Sequence, residues 1–416
     1  MNDTLWVYVG DVRAGRLQRI DTRFSFTYDA EDAPALSVRL PSRNEPYGDS
    51  DCRPFFSNLL PEGDWRRSLC RTLGIAVDDD FSLLGAIGVD CAGAIAVTAD
   101  PAWKPKKGRY VPTTESDLRK WVKNPASRPR LAVTPGLRLS LAGAQDKLLI
   151  HLDGGKPYLC ESGAPSTVIV KPSIDDRRSG IELSALNELA SMALARLSQL
   201  RVPRSFWFAS AYAVERFDRA AGRDRIRRVH QEDFAQILGL SPSSKYDVTW
   251  KQCFDLLSTY TTTPASARVE LLDRLLYNLV LGNNDAHAKN FAVLHGATGI
   301  TELSPAYDLL CTQMYRALSP RLAMPIGSAV SLTDMKTSAW RAFAREVQIG
   351  FPLLRQRGVE LSERVQDTVG DLSSVVVRDN PALSRDVYPA RRRADFFARF
   401  SKVVRKNCRL LARSLA

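Results

Sequence analysis

An aspartate and an asparagine stand five positions apart in the polar part of LGNNDAHAKNFAVL (281–294), a segment with apolar residues at both ends. Asp285 and Asn290 offer oxygen atoms that could bind a hard cation such as Mg²⁺ or accept a proton from a bound hydroxyl group. An Asx-rich turn that caps the preceding helix would explain the same residues, and for this segment alone we favour that explanation. Catalysis is indicated only if a second acidic residue joins the pair.

Asp308 is such a residue, and it lies in ELSPAYDLL (302–310), again between apolar residues. Phosphoryl transfer uses one carboxylate to orient the hydroxyl nucleophile, while an asparagine and a second aspartate hold magnesium against the phosphates. Asp285, Asn290 and Asp308 have the types and the order of these three residues. The spacing therefore predicts a phosphotransferase site.

Phosphoryl transfer also uses a lysine at the phosphates, and Lys171 at the end of TVIVKP (167–172) is the candidate. Glu188, on the helix that follows, could pair with it. Taken singly, a solvated strand end explains Lys171 better, and an exposed helix position explains Glu188 better. The order of glycine turn, strand lysine, helix glutamate, Asp–x4–Asn loop and final aspartate favours the catalytic interpretation.

Hydrophobic periodicity predicts the elements that position these residues. Apolar residues at helical spacing predict helices in 181–200 and in VELLDRLLYNLVL (269–281), which ends at Gly282 directly before the Asp285 loop. Residues 101–130 are polar and contain prolines, which predicts a connection. Helix is also expected in 54–84 and in most of the last eighty residues. Strands are expected in 4–28, LRLSL (137–141), KLLIHL (147–152), KPYL (156–159), TVIVKP (167–172) and SFWFASAYAVERFD (205–218).

The composition is that of a globular protein, and 416 residues suffice for two or three packed units. The net charge of +12 favours polyanionic partners, although a basic surface without a dedicated ligand explains it equally well. The first residues lack the pattern of a signal peptide, and no apolar run reaches the roughly 18 residues needed to cross a bilayer. We expect a cytoplasmic protein without a membrane partner.

Other enzyme classes lack their motifs in this sequence. There is no GxxxxGK[ST] run for a P-loop and no GxSxG elbow for a serine hydrolase. The seven cysteines form no CxxC pair, and the four histidines (151, 230, 287 and 295) have no HExxH spacing. A zinc enzyme is therefore not predicted, and the scattered cysteines are typical of a reducing compartment.

Five ordered segments make the chain resemble the HipA family of bacterial serine/threonine kinase toxins. The segments are LSLAGAQDK, VIVKP, VERFDR, NNDAHAKNF and SPAYDLL, and FFSNLLPEGDWR (55–66) and FSLLGAIGVDCAGAI (81–95) extend the similarity to the amino-terminal third. The resemblance implies an α+β, two-lobed, protein-kinase-like fold with a β-rich amino-terminal part and a mainly helical carboxy-terminal lobe. It also implies three parts: a HipA N-terminal-like part (1–105), an N-lobe-like part with glycine loop and hinge (106–218), and a helical lobe (219–416).

The resemblance implies ATP and Mg²⁺ as cofactors and a role for each candidate residue. Asp285 would be the catalytic aspartate, Asn290 and Asp308 the magnesium ligands, and Lys171 the contact to the α- and β-phosphates. His287 stands two positions after Asp285, where ordinary protein kinases have a lysine. Further nucleotide-binding candidates are Ala142, Gly143, Ala144, Gln145, Asp146 and Lys147 in the glycine loop, Glu215, Arg216 and Phe217 in the hinge, and His287, Lys289 and Tyr307.

Ser140, just before the glycine turn, is implied to be the autophosphorylation site. A phosphate there would add close to two negative charges beside the triphosphate, and the repulsion would expel the loop and close the nucleotide site. A hydroxyl that only bonds the backbone of a strand is the simpler explanation of this serine. The resemblance makes self-inactivation the hypothesis.

The last 27 residues (390–416) hold nine basic residues against one acidic residue, with apolar residues at helical spacing. A docked helix with a solvated basic face is the favoured interpretation. The alternative is a helix that faces DNA or an antitoxin, because members of the family form complexes with a small helix-turn-helix repressor, HipB, on operator DNA.

The leading functional expectation is an ATP-dependent protein serine/threonine kinase that acts as the toxin of a toxin–antitoxin pair. By resemblance its substrate would be a translation component, an aminoacyl-tRNA synthetase and first of all glutamyl-tRNA synthetase, and growth arrest or persistence would result. Two alternatives stay open. One is a small-molecule phosphotransferase, and the other is a catalytically idle corepressor that strengthens antitoxin binding to DNA.

Overall fold

The computed structural model describes residues 3–105, 108–132, 142–176, 180–222, 225–296, 299–385 and 388–416. The chain forms two compact units, each built from separate segments. The first unit comprises Met1–Lys171, Glu215–Lys245 and Ala292–Thr301, and the second comprises Pro172–Val214, Tyr246–Phe291 and Glu302–Ala416. The sequence predicted three consecutive parts with boundaries at residues 105 and 218, whereas each of the two units combines separate segments. The division into three parts stays a prediction.

Eight strands and five α-helices are described in the first 171 residues. In chain order these residues form β1 (Thr4–Val9), β2 (Val12–Ile20), β3 (Arg23–Tyr28), α1 (Asp49–Ser57), α2 (Gly63–Leu73), α3 (Asp80–Ile87), β4 (Ile95–Thr98), β5 (Arg109–Pro112), α4 (Glu115–Lys123), α5 (Arg128–Ala132), β6 (Leu148–Asp153), β7 (Lys156–Glu161) and β8 (Val168–Lys171).

Helices become more frequent after residue 171. The elements that follow are α6 (Ser184–Leu197), β9 (Ser205–Phe208), β10 (Ala211–Glu215), β11 (Arg219–Ala221), β12 (Ile226–Arg228), β13 (His230–Asp233), α7 (Phe234–Leu238), α8 (Trp250–Tyr260), α9 (Pro264–Leu281), β14 (Ala292–His295), β15 (Thr301–Leu303), α10 (Thr337–Glu346), α11 (Phe351–Val369), α12 (Leu372–Asp379), α13 (Ala382–Arg385) and α14 (Ala390–Leu415).

The first sheet of the first unit has the order β3–β2–β1–β4 and is antiparallel. Alternate residues of β3, Phe24, Phe26 and Tyr28, are buried, as expected for a strand with one face on a core. Helix α1 packs on this face, and the ring centroids of Phe26 and Phe56 lie 5.7 Å apart. Aromatic packing therefore fixes this part of the unit.

A second antiparallel sheet positions Lys171. Within the first unit its strand order is β5–β7–β6–β8, and Leu148 of β6 faces Val170 of β8, one residue before the lysine. The prediction of a connection over 101–130 was wrong in part, since β5 pairs with β7 and α4 buries Leu118 and Trp121. The surrounding prolines and basic residues obscured this short amphipathic helix.

The second unit is built around α9, whose leucines are buried on several sides. Helices α8, α11 and α14 pack against α9. Gly358 of α11 allows a close helix approach, because a Cβ atom there would lie 2.3 Å from Cδ1 of Leu415 in α14. Helix α14 buries Phe396, Phe400 and Leu411 in this core. The carboxy-terminal helix is therefore docked on the second unit.

The predicted class, a β-rich amino-terminal part and a mainly helical carboxy-terminal part, is confirmed. The helices predicted in 181–200 and 269–281 correspond to α6 and α9, and the strand predicted in LRLSL lies outside the described residues. Among the helices that the structure describes, none combines the length and the apolar character needed to cross a membrane.

Candidate active site

The loop that carries Asp285 begins where α9 ends. Gly282 has a left-handed conformation with φ +78°, and its N–H donates to the Asn278 carbonyl at 3.0 Å, as in a C-cap. The side-chain oxygen of Asn283 accepts the N–H of Asp285 at 3.2 Å. The Asx turn and the candidate catalytic loop are thus the same segment, and the turn fixes the backbone that presents Asp285.

Asp285 is the exposed residue of an otherwise buried stretch, since the other residues of 281–290 are all buried. Its Oδ1 accepts a hydrogen bond from the hydroxyl of Tyr246 at 3.0 Å. The ring of Tyr246 also meets the ring of His287 edge to face, with centroids 5.2 Å apart. A fixed loop therefore presents one carboxylate to solvent, as a group acting on an external hydroxyl requires.

The two candidate magnesium ligands touch each other. The amide nitrogen of Asn290 donates to Oδ2 of Asp308 at 3.0 Å, and its oxygen accepts the His287 N–H at 3.0 Å. Asp308 has a positive φ of +58°, a left-handed conformation that aspartate and asparagine adopt more readily than other residues with a Cβ atom.

These side chains fit a Mg²⁺ ion by donor type. Carboxylate and amide oxygens are the ligands that hard cations take, and both residues can point one oxygen at a common ion. The Asn290 amide would have to turn, because its N–H group, which now contacts Asp308, cannot bind a cation. The contact brings the two residues together, and their role as ligands stays a prediction.

The remaining candidates of the loop region are held by the same segment. The hydroxyl of Tyr307 donates to the Lys289 carbonyl at 2.8 Å, and this hydrogen bond holds the backbone of the loop in place. Lys289 and His287 are both buried, with 8% and 7% of their surface exposed. The contact of His287, Lys289 and Tyr307 with a nucleotide stays a prediction.

In the first unit, the described part of the glycine loop is hydrogen-bonded to the segment before α2. Gly143 has φ +109°, and its carbonyl accepts the N–H of Glu62 at 3.1 Å. The ammonium group of Lys147 donates to the Ala142 carbonyl, which closes the turn. Asp146 pairs with Arg128 at 2.9 Å. Ala144 lies beside Gly63, Gln145 belongs to the same turn, and Ser140 lies outside the described residues.

Lys171 ends β8 and is buried, with 9% of its surface exposed. Because Lys171 is buried, a solvated strand end does not explain it. A buried ammonium group is kept only with polar partners. Glu188 is also buried, on α6. Lys171 belongs to the first unit and Glu188 to the second, and their pairing stays a prediction.

The backbone N–H and the guanidinium group of the hinge candidate Arg216 are bonded within the first unit. Its N–H donates to the Thr167 carbonyl at 2.8 Å, and its guanidinium binds Asp218 at 2.7 Å and Asp90 at 3.4 Å. Since backbone groups alternate along an extended chain, adenine would have to use those of Glu215 and Phe217. The contact of these three residues with adenine stays a prediction.

Arg216 belongs to a buried charge cluster that the sequence did not indicate. Its members are Asp90, Arg216, Asp218, Arg219 and Arg228, all in the first unit and all nearly fully buried. Burial raises the pKa of the Asp90 carboxyl, but the three arginines outweigh it and hold that pKa well below its usual range. The ion pairs of this cluster therefore hold Arg216, and with it the hinge segment, in place.

Tyr246 was also missed, because nothing in the pattern SSKYD distinguishes it from a surface loop. The only signal was an aromatic residue in a polar segment just before a helix. Its role depends on a contact with Asp285, 39 positions later, which local sequence does not encode.

Comparison with known proteins agrees with the motifs. The family model of the HipA-like C-terminal domain matches residues 139–376, and that of the HipA N-terminal domain matches residues 5–98. The Sinorhizobium fredii protein Y4mE is 38% identical over 391 residues, which cover 91% of each chain. The Shewanella oneidensis serine/threonine-protein kinase toxin HipA is 29% identical over 396 residues, 89% of each chain.

A solved structure shows the same fold. It is the Shewanella oneidensis complex of HipA, HipB and operator DNA, and it matches this chain with a TM-score of 0.80 and 26% identity. The match covers 97% of this chain and 96% of that one. Together with the two family models, it shows that the chain belongs to the HipA family of serine/threonine kinase toxins.

Proposed function

We propose that this chain is an ATP- and Mg²⁺-dependent protein serine/threonine kinase that acts as the toxin of a toxin–antitoxin pair. The main support is the arrangement in the second unit. One exposed carboxylate, Asp285, stands on a buried loop whose far end, Asn290, touches Asp308 at 3.0 Å. The loop thus carries an acceptor for a hydroxyl proton and one oxygen ligand for a cation, and it contacts the second ligand, Asp308.

In the proposed reaction, the Asp285 carboxylate accepts the hydrogen of a substrate serine hydroxyl and orients its oxygen toward the γ-phosphorus. Tyr246 holds that carboxylate in place through Oδ1. Asn290 and Asp308 would hold Mg²⁺, which would neutralise charge on the phosphates. Lys171 would bind the α- and β-phosphates, and the loop from Ala142 to Lys147 would cover them.

For the substrate and the self-modification, support comes from resemblance alone. We propose an aminoacyl-tRNA synthetase as the substrate, with glutamyl-tRNA synthetase tested first, and Ser140 as the autophosphorylation site. A phosphate at residue 140 would lower ATP affinity through repulsion from the triphosphate. Unchanged ATP affinity after stoichiometric phosphorylation of Ser140 would exclude self-inactivation.

A HipB-like helix-turn-helix antitoxin and operator DNA are the proposed partners, because the Shewanella oneidensis relative forms such a complex. The basic residues of α14 support a role near nucleic acid, since its apolar residues are docked and residues such as Arg399, Lys402 and Arg409 are exposed. A solvated basic face explains the same exposure. Binding to operator DNA with and without the antitoxin separates the two.

The deciding experiment compares the wild-type chain with Asp285→Asn. Each protein is expressed in a growing culture, and phosphopeptides are quantified. We expect growth arrest and new phosphoserines, on a synthetase and at Ser140, in the wild type alone. If no protein gains phosphate in an Asp285-dependent way, the kinase proposal fails.

The two alternatives give different results in the same experiment. A small-molecule phosphotransferase would consume ATP in an Asp285-dependent way without labelling any protein. An idle corepressor would strengthen antitoxin binding to DNA equally well with Asp285→Asn, and it would leave growth unchanged.

A further inference from the structure

Two histidines and a glutamate meet on one face of the β13–β14 strand pair in the first unit. The strands are antiparallel, and His230 lies directly opposite His295. Because side chains alternate along a strand, Glu232 points to the same face as His230. One ring nitrogen of each histidine and one carboxylate oxygen of Glu232 all lie within 4.8 Å of one another.

Glu232 is fully buried, yet only one of its oxygens is satisfied. Its Oε1 accepts the Val38 N–H at 3.2 Å and lies 2.9 Å from Nε2 of His295. Its Oε2 has no hydrogen-bond partner among the residues that the structure describes. A buried carboxylate oxygen without a donor or cation is costly, so this atom indicates a missing positive partner.

His230 has the tautomer that a metal ligand needs. Its Nε2 lies 2.9 Å from the Leu36 carbonyl, which can only accept, so Nε2 carries the hydrogen and Nδ1 the lone pair. Nδ1 has no partner in the described part of the chain. Metal-binding histidines typically donate their second N–H to a carbonyl in this way.

An ion pair between protonated His295 and Glu232 is the simplest alternative. It accounts for the 2.9 Å contact at Oε1, but it leaves Oε2 of Glu232 and Nδ1 of His230 unexplained. A second protonated histidine is disfavoured as well, because the two rings are nearly parallel with centroids 5.2 Å apart. A bound cation explains the oxygen and both imidazoles together.

We propose that His230, Glu232 and His295 bind a divalent transition-metal ion, with Zn²⁺ as the best match. Two imidazole nitrogens and one carboxylate oxygen are a ligand set that zinc takes, whereas Mg²⁺ and Ca²⁺ prefer oxygen ligands alone. Tetrahedral zinc with bonds of about 2.0–2.2 Å needs ligand atoms about 3.3–3.5 Å apart. The ligand atoms lie within 4.8 Å of one another, so the most distant pair would have to approach by up to about 1.5 Å.

A zinc ion held by these three side chains would keep its fourth position for water, and it would cross-link parts of the first unit. It would join β13 to β14, and through the contacts to Leu36 and Val38 it would join both strands to the segment before α1. The proposal is independent of the kinase function, because its ligands differ in residue and in donor type from Asn290 and Asp308.

The test uses the full chain without a histidine tag, since a tag would bind zinc itself. Elemental analysis of protein purified without chelator is expected to give one zinc per chain. After removal of metal with EDTA, titration against a chromogenic chelator in the presence of excess Mg²⁺ is expected to show one site of micromolar or tighter affinity. Co²⁺ should give the visible absorption of a tetrahedral site.

Two variants locate the site, and a third serves as the matched control. Glu232→Gln and His295→Gln are each expected to weaken Zn²⁺ binding at least tenfold. His151→Gln removes a histidine of β6, also in the first unit, and it should bind zinc as the wild type does.

Either of two results would overturn the proposal. One is a folded wild-type chain that binds no stoichiometric Zn²⁺ or Co²⁺ near pH 7.5, and this result does not depend on any variant folding. The other is equal zinc affinity in the wild type, Glu232→Gln and His295→Gln, which would place the ion elsewhere. Circular dichroism establishes that each variant is folded.

Discussion

The Tyr246 hydroxyl donates a hydrogen bond to Oδ1 of Asp285 at 3.0 Å, so the exposed carboxylate of the loop is held by a residue 39 positions away. We therefore regard Tyr246 as a positioning residue for the proposed catalytic aspartate.

Replacing Tyr246 by phenylalanine tests this contact. The ring that packs on His287 is kept, and only the hydrogen bond is lost. Because the pair is exposed, we expect a loss of about 1 kcal/mol, or a roughly three- to tenfold lower kcat with an unchanged KM for ATP. Steady-state phosphorylation rates measure both constants. Tyr158→Phe on β7 is the control, and an equal effect of both variants would refute the positioning role.

A second prediction concerns the contact between Asn290 and Asp308. Asn290→Asp replaces an N–H donor by a second carboxylate 3.0 Å from Asp308, so the two negative charges repel when no cation is present. Because Asp308 is exposed, we expect a loss of about 1 kcal/mol in EDTA. Mg²⁺ should restore the melting temperature more in this variant than in the wild type.

Asn290→Ala distinguishes the binding of Mg²⁺ by residue 290 from the effect of the added negative charge. The melting temperature is measured with and without Mg²⁺, as for Asn290→Asp. It removes the hydrogen bond without adding a negative charge, and its melting temperature should not respond to Mg²⁺. If Mg²⁺ stabilises Asn290→Asp no more than Asn290→Ala, the two residues do not share an ion.

The glycine loop provides a third prediction. At Gly143, φ is +109° and a Cβ atom would lie 2.7 Å from Nζ of Lys147. Gly143→Ala should therefore strain the backbone and displace the lysine, which would lower the melting temperature and raise the KM for ATP roughly tenfold. Gly155→Ala, in the β6–β7 turn, has φ +81° but no atom within 4 Å, and it should leave the KM unchanged. Equal KM values in both variants would contradict a role of this loop in ATP binding.

The buried charge cluster makes the first unit sensitive to acid. The pKa values of Asp90 and Asp218 are both lowered in the folded state, because their arginine partners outweigh the effect of burial. Groups with depressed pKa values stabilise fully above the unfolded value of about 3.9 and lose that stability as the pH falls. Thermal melts between pH 3 and pH 7 should show a decline that begins near pH 5.

Asp90→Asn tests the same cluster at neutral pH. It leaves Arg216, Arg219 and Arg228 with one fewer negative partner, and breaking a buried pair costs about 3–5 kcal/mol. Asp153→Asn, at the exposed end of β6, should change the free energy of unfolding by less than about 0.5 kcal/mol. A comparable, small effect of both substitutions would show that the cluster is not important for stability.

Residues whose role depends on local pattern were predictable. The apolar stripe of α9, its end at Gly282 and the spacing of Asp285 and Asn290 can be read within short windows of sequence. The order of the motifs then indicated the family, and the class of fold followed. These inferences needed no knowledge of which strands pair.

Residues whose role depends on pairing were not predictable. His230 and His295 are 65 positions apart, and only the register of β13 and β14 places them opposite each other. Asp90 meets Arg216 and Arg228 through contacts over more than 120 positions. The absence of an HExxH motif excluded one kind of zinc site, but a site assembled across two strands leaves no contiguous motif.

The left-handed backbone at Asp308 determines which inactive variant can serve as a reference. Asparagine tolerates this conformation about as well as aspartate does, and it has nearly the same shape without the charge. Alanine would remove the charge and also disfavour the backbone conformation, so its effects on folding and on ion binding could not be separated. Under the proposed role of Asp308, Asp308→Asn is therefore the substitution of choice for an inactive protein with an intact backbone, on which a substrate or the proposed antitoxin could be captured.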